Sequence, residues 1–97
     1  MSEIDLNTRV TQGRDLLMED LDDELLMMSL EAGLYIALNP IAKRIWNELK
    51  GPIMVADVCQ RLLTEFDVPP ETCERDVLSL LNQLHDKHLI QSVPTTG

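Results

Sequence analysis

LYIALNPIAKRIWNEL, residues Leu34–Leu49, holds the turning point of the chain. Its first five residues are an apolar run too short for a helix, and Tyr35 and Ile36 favour strands, so Leu34 to Leu38 reads as a strand. Leu34, Ile36 and Leu38 then fall on one face, Tyr35 and Ala37 on the other. Asn39 and Pro40 start a helix by mechanism: the asparagine side chain accepts from free N–H groups, and a proline at the first helical position has no N–H to leave unsatisfied. Ile41, Ala42, Ile45, Trp46 and Leu49 form one stripe, closed by Gly51 and Pro52.

Upstream, Glu31, Ala32 and Gly33 break the chain before this strand. RDLLMED (14–20) and ELLMMSL (24–30) read as two more strands joined by an acid-rich turn. Residues 1–13 have only scattered apolar positions at Ile4, Leu6 and Val10 and read as an extended arm. Downstream, Val55, Val58, Cys59, Leu62, Leu63 and Phe66 recur at helical spacing, and that helix stops before Val68, Pro69 and Pro70. A third helix begins near Pro70 with Glu71 in its first turn; its stripe is Cys73, Val77, Leu80, Leu81 and Leu84, and Lys87 and His88 close it. Leu89 to Val93 suit a short return strand or wing, and 94–97 a flexible tail. The expected fold is α+β: a winged helix-turn-helix with an N-terminal three-stranded antiparallel sheet packed on three helices, forming one domain over residues 14–93.

At 97 residues the chain supports one core. No apolar stretch is long enough to cross a bilayer, and Glu3 with no following apolar run argues against a signal peptide, so a cytoplasmic protein is expected. Cys59 and Cys73 form no C-x-x-C pair and read as small buried hydrophobes. Eight Lys and Arg face seventeen Asp and Glu, a net charge of −9 that opposes a polyphosphate backbone.

Residue types that could carry chemistry are present but lack its context. His85 and His88 are three apart without a third metal ligand, and read as surface histidines. Ser29, Ser79 and Ser92 have no triad-like surroundings, and there is no Gly-rich phosphate loop. The acids Glu19, Asp20, Asp22, Asp23 and Glu24 lack the glycine and spacing of a calcium loop. No catalytic residue, metal or cofactor is expected. Trp46 reads as a core anchor of the first helix.

ELLMMSLEAGLYIALNPIAKRIWNEL, VADVCQRLLTEFDVPPE and DVLSLLNQLHDKHLI together resemble the pyrroloquinoline-quinone biosynthesis protein D family. Its members are also described as RiPP recognition elements, and the likeness is greatest to the stand-alone lasso-peptide members. The resemblance rests on the joint spacing of Glu24, Gly33, Tyr35, Ile36, Leu38, Asn39 and Trp46, continued by Asp76, Val77, Leu81, Leu84, Leu89 and Ile90, and covers about Arg14 to Ile90. Two positions depart from the pattern. Met54 stands where a Thr or Ser would cap the second helix, a loss of about 1 kcal/mol. His88 stands where Gly would take a left-handed conformation. The resemblance implies a non-catalytic domain that binds the leader of a ribosomally made precursor and presents it to a leader peptidase and an ATP-dependent macrocyclase.

Leader capture by strand addition needs an open sheet edge and nearby pockets for alternate side chains. The strand Leu34, Tyr35, Ile36, Ala37 and Leu38 would supply the edge, and the third helix a wall of Val77, Leu80, Leu81 and Leu84. Glu74 and Asp76 bracket that stripe on opposite flanks, and the resemblance favours Asp76 as the groove's acid. For Val77 and Leu84 simple core packing is the stronger expectation, and for Tyr35 plain solvent exposure is as good a reading as leader contact. Three alternatives stand beside this: a winged-helix transcription regulator, opposed by the acids Glu71, Glu74, Asp76 and Asp86 against Arg75 and Lys87 on the helix that would enter DNA; an adaptor for a folded enzyme; and a homodimer through the same sheet edge.

Overall fold

Alternation along ELLMMS sets the first layer. Leu25, Met27 and Ser29 are buried while Leu26 is exposed, because successive strand residues point to opposite faces. The computed structural model describes residues 4–93. In chain order it contains β1 (Arg9–Gln12), β2 (Leu16–Leu21), β3 (Glu24–Ser29), β4 (Tyr35–Leu38), α1 (Pro40–Asn47), β5 (Ile53–Met54), α2 (Val55–Glu65), α3 (Pro70–Asp86) and β6 (Ile90–Val93). The expected tail at 94–97 and the first three residues of the expected arm lie outside the described residues. No helix among the described residues is long and apolar enough to cross a membrane.

The α+β architecture with three helices is as the sequence indicates, with two antiparallel sheets in place of one sheet and a lone wing. β2, β3 and β4 pair in that order, and β5, β1 and β6 form the second sheet. The segment expected as an extended arm makes a turn, closed by Thr8 N donating to Asp5 O at 3.0 Å, and then the strand β1, which is central in the second sheet with Arg9 opposite both Met54 and Val93. Ile4 and Val10 join the same buried cluster as Trp46, Leu81 and Leu89. Gly13 follows from close approach, since its N–H donates to Leu89 O at 2.8 Å and a Cβ there would meet that same oxygen at 2.8 Å.

Local chemistry explains the joints. Gly33 turns the chain into β4 with φ +69°, a left-handed conformation that costs glycine little; the buried Ser29 hydroxyl accepts from Ala32 N at 3.1 Å across the same turn. Asn39 Oδ1 accepts from Ala42 N at 2.8 Å, so α1 is capped as its sequence demands. The missing cap at Met54 is replaced from afar: Val55 N donates to Thr8 O and Ala56 N to Leu6 O, both 3.0 Å. Both bonds satisfy first-turn donors, and Ala56 N is one that a capping Thr or Ser at position 54 could serve. At the end of α3, Leu89 N bonds Leu84 O and His88 N bonds His85 O, with His88 at φ +61°. This is the glycine-type helix stop made by a histidine.

Charge ties α1 to α2. Arg44 bridges Glu48 and Glu65, while Arg61 reaches Glu48 at 2.5 Å. Arg61 and Arg44 hold the Glu48 carboxyl below the usual carboxylate range, and Arg44 does the same for Glu65. Cys59 and Cys73 are both buried and free. Burial pushes the Cys59 thiol up to about 11 and raises that of Cys73, so both remain protonated, unreactive core groups.

Candidate functional site

β4 pairs with β3 alone, so its other side has no strand beside it among the described residues. Which of its backbone groups face outward follows from hydrogen-bond alternation. Ser29 N donates to Leu34 O at 2.8 Å, and Leu30 N to Asp15 O at 3.0 Å on the opposite side of β3. In an antiparallel ladder bonded pairs alternate with non-bonded ones. With Met27 opposite Ile36 and Leu25 opposite Leu38, the backbones of Leu34, Ile36 and Leu38 therefore turn toward β3. Those of Tyr35 and Ala37 turn to the open edge. Of the five residues Leu34 to Leu38, two hold the backbone donors and acceptors an added strand would use.

The side chains follow a complementary rule. Leu38 is buried and Ile36 half-buried against the core, while Tyr35 is 67% exposed and Ala37 is exposed. Leu34 lies just before the strand and is exposed.

On α3 the structure divides the residues that the sequence grouped together. Val77, Leu81 and Leu84 are core, with 2%, 0% and 0% of their surface accessible, and present nothing to a ligand. Leu80 is half-buried at the core's margin and Asp76 is exposed, four residues apart on one flank. Asp76 has only its helix neighbour Arg75 nearby, at 3.7 Å. The opposite flank is occupied: Ile4 N donates to Asn82 Oδ1 at 2.9 Å, and Asn82 Nδ2 donates to Ile4 O at 3.2 Å. Glu74 is half-buried toward this occupied side. Of the two acids that a helical wheel leaves open, Asp76 is exposed and Glu74 half-buried.

A concavity of about 1290 Å³ lies elsewhere. It is lined by Arg14, Asp15 and Glu31, by Asn82, His85 and Asp86 at the end of α3, by His88, and by Ile90 to Ser92. Its walls are mostly polar, which suits solvent better than the apolar anchors a captured strand needs. Among the described residues no group of three His, Cys, Asp or Glu side chains is arranged to hold a metal ion.

Sequence reasoning located the strand but not the outward pair Tyr35 and Ala37, since alternation of backbone direction depends on the partner strand. It also missed Asn82, whose role appears only when Ile4 is brought across 78 residues of chain.

Comparison with known proteins adds to this geometry. Residues 24–90 match the family model described as Coenzyme PQQ synthesis protein D (PqqD). A PqqA binding protein of Xanthomonas campestris pv. campestris (strain B100) is 34% identical over 56 residues, 58% of this chain and 61% of that protein. The match thus spans under two thirds of that relative's length. Among solved structures, TbiB1 in complex with the TbiA(beta) leader peptide has a similar fold, with a TM-score of 0.75 and 25% sequence identity. That likeness covers 88% of this chain and 99% of the other.

Proposed function

The chain belongs to the PqqD family, and from that premise we propose that it binds the leader segment of a ribosomally made precursor peptide as an added strand along β4. The observation that carries this reading is the free edge of β4, where Tyr35 and Ala37 turn their backbone N–H and C=O groups outward. Relatives named for binding PqqA, or solved with a leader peptide, point the same way.

Each outward residue offers one donor and one acceptor, so the ladder fixes register and direction without reading sequence. Ordering a free leader costs roughly 1–2 kcal/mol per residue, and a net hydrogen bond returns about 1 kcal/mol. Apolar anchors must supply the surplus, and the surface offered for them is Leu34, the half-buried Ile36 and Leu80. Asp76 supplies a carboxylate for a polar or basic leader group. The captured leader is presented to modifying enzymes, a leader peptidase and a macrocyclase, in the cytoplasm where the precursor is made. The domain itself does no chemistry.

Titration of a fluorescently labelled synthetic leader against wild type and Ala37→Pro tests the site. Proline removes an outward N–H that β3 does not use, so the fold, read by circular dichroism, should persist. Leader affinity should fall about a hundredfold, roughly 2.7 kcal/mol. Unchanged affinity in a folded variant would place the leader elsewhere. Ile36→Pro is the poorer test, because its N–H faces β3 and its loss would damage the sheet itself.

A further inference from the structure

The outer face of the β2-β3-β4 sheet is left apolar. Cross-strand pairing aligns Leu17, Met28 and Tyr35 in one row and Glu19, Leu26 and Ala37 in the next, with Leu21 opposite Glu24 at the hairpin end. Leu17 is 54% exposed and Leu21 49%. Isolated exposed leucines are ordinary, but a connected set of this kind on one sheet face marks an interaction surface.

Charge narrows what can cover it. Glu19 and Glu24 lie on this face and Asp22 and Asp23 at its hairpin tip, and none of the four carboxylates has an ion-pair partner among the described residues. The nearby cation Lys43 pairs with the Asp20 carboxylate and donates to the Asp22 backbone carbonyl, both at 2.7 Å, so it leaves these four carboxylates without a partner. A second copy would bring the same acids and another net charge of −9, so like charges oppose self-pairing. A face with an apolar centre and a Lys/Arg rim fits instead.

Position supplies the rest. Tyr35 and Ala37 end this face at the free edge of β4, and a strand added there would project alternate side chains into the same rows. We propose that the outer face of the β2-β3-β4 sheet, centred on Leu17, Leu26, Met28 and Tyr35, docks a basic-rimmed face of the enzyme that modifies the precursor, and that the bound leader completes this surface. The proposal rests on the leader-binding reading above. Its consequence is a partner that distinguishes the loaded domain from the empty one, with reciprocal coupling: the enzyme tightens leader binding by the factor that the leader tightens enzyme binding.

The experiment immobilises the purified precursor-modifying enzyme and titrates the full chain, with and without saturating leader peptide. Wild type should bind at least fivefold more tightly when loaded. Leu17→Glu combined with Leu26→Glu, both at exposed positions, should keep leader affinity within twofold and lose at least tenfold in enzyme affinity. Glu19→Lys with Glu24→Lys should slow association most at low salt. Wild-type enzyme affinity in the leucine double variant would overturn the proposal. So would a wild-type dimer that this variant converts to monomer by light scattering, which assigns the face to a second copy. A wild-type chain that takes the enzyme but no leader peptide would overturn the leader reading and the leader's part in this surface, and the leucine variant would still decide whether the face docks the enzyme.

Discussion

The two flanks of α3 are put to different uses. On one, the chain lays its own N-terminal segment: Ile4 is buried, and both its backbone polar groups are held by the amide of Asn82. On the other, Asp76 and Leu80 stand four residues apart, the acid exposed and 3.7 Å from Arg75. The occupied flank displays what holding an extended segment requires, namely an apolar anchor sunk in the core and a side chain that bonds backbone directly. In the proposed capture of a leader, Leu80 and Asp76 would play these parts, and the free edge of β4 would add backbone bonds. A tethered segment meets little entropic opposition to docking, whereas a separate leader must offset its whole ordering cost. On that argument the proposed leader site would need a strand ladder where the tethered segment does not.

The comparison breaks most visibly at the residue beneath both flanks. Leu81→Ala should cost about 3 kcal/mol in urea unfolding, as a buried leucine does when its cavity cannot collapse. A loss below about 1 kcal/mol together with abolished leader binding would make Leu81 a ligand contact and dissolve the division between core and groove.

Asn82→Ala addresses the occupied flank. It leaves two Ile4 backbone groups without partners and should cost about 1–2 kcal/mol of stability, with leader affinity unchanged. Asp76→Ala addresses the other and should behave in reverse: leader affinity down about fivefold, close to 1 kcal/mol, and an unaltered melting curve. If both variants changed both quantities, the flanks would be coupled and the contrast between them lost.

The smallest effect belongs to the helix end where the flanks converge. His88→Gly should raise stability by about 0.5 kcal/mol, because the left-handed position strains a side-chain-bearing residue. The exposed contact between His88 Nδ1 and Glu31 Oε1 at 3.3 Å offers little to lose. A destabilised glycine variant would show that this contact outweighs the backbone strain.

Much of this molecule was legible one segment at a time. ELLMMS and YIAL read as strands because alternation is a property of consecutive residues, and α1 begins where Asn39 and Pro40 say it must. The helical stripes of α2 and α3 gave their buried faces correctly in Val58, Leu62, Val77 and Leu81. β1 and β5 were not legible. Four and two residues long, they are strands only because Arg9 meets Met54 and Val93 from distant parts of the chain. The departure at Met54 misled for the same reason: local rules count a lost cap, and the Leu6 carbonyl accepts from Ala56 N in its place.

Sequence alone determined the three helices, the strands β2 to β4 and the acidic charge, because propensity, capping and periodicity act over a few neighbouring residues. The tertiary structure decided the rest of the site. It turned Tyr35 and Ala37 outward and Ile36 inward, spent Val77, Leu81 and Leu84 on the core, and closed one flank of α3 with Ile4. Pairing register and burial depend on which distant segment arrives alongside, and no local pattern encodes that arrival.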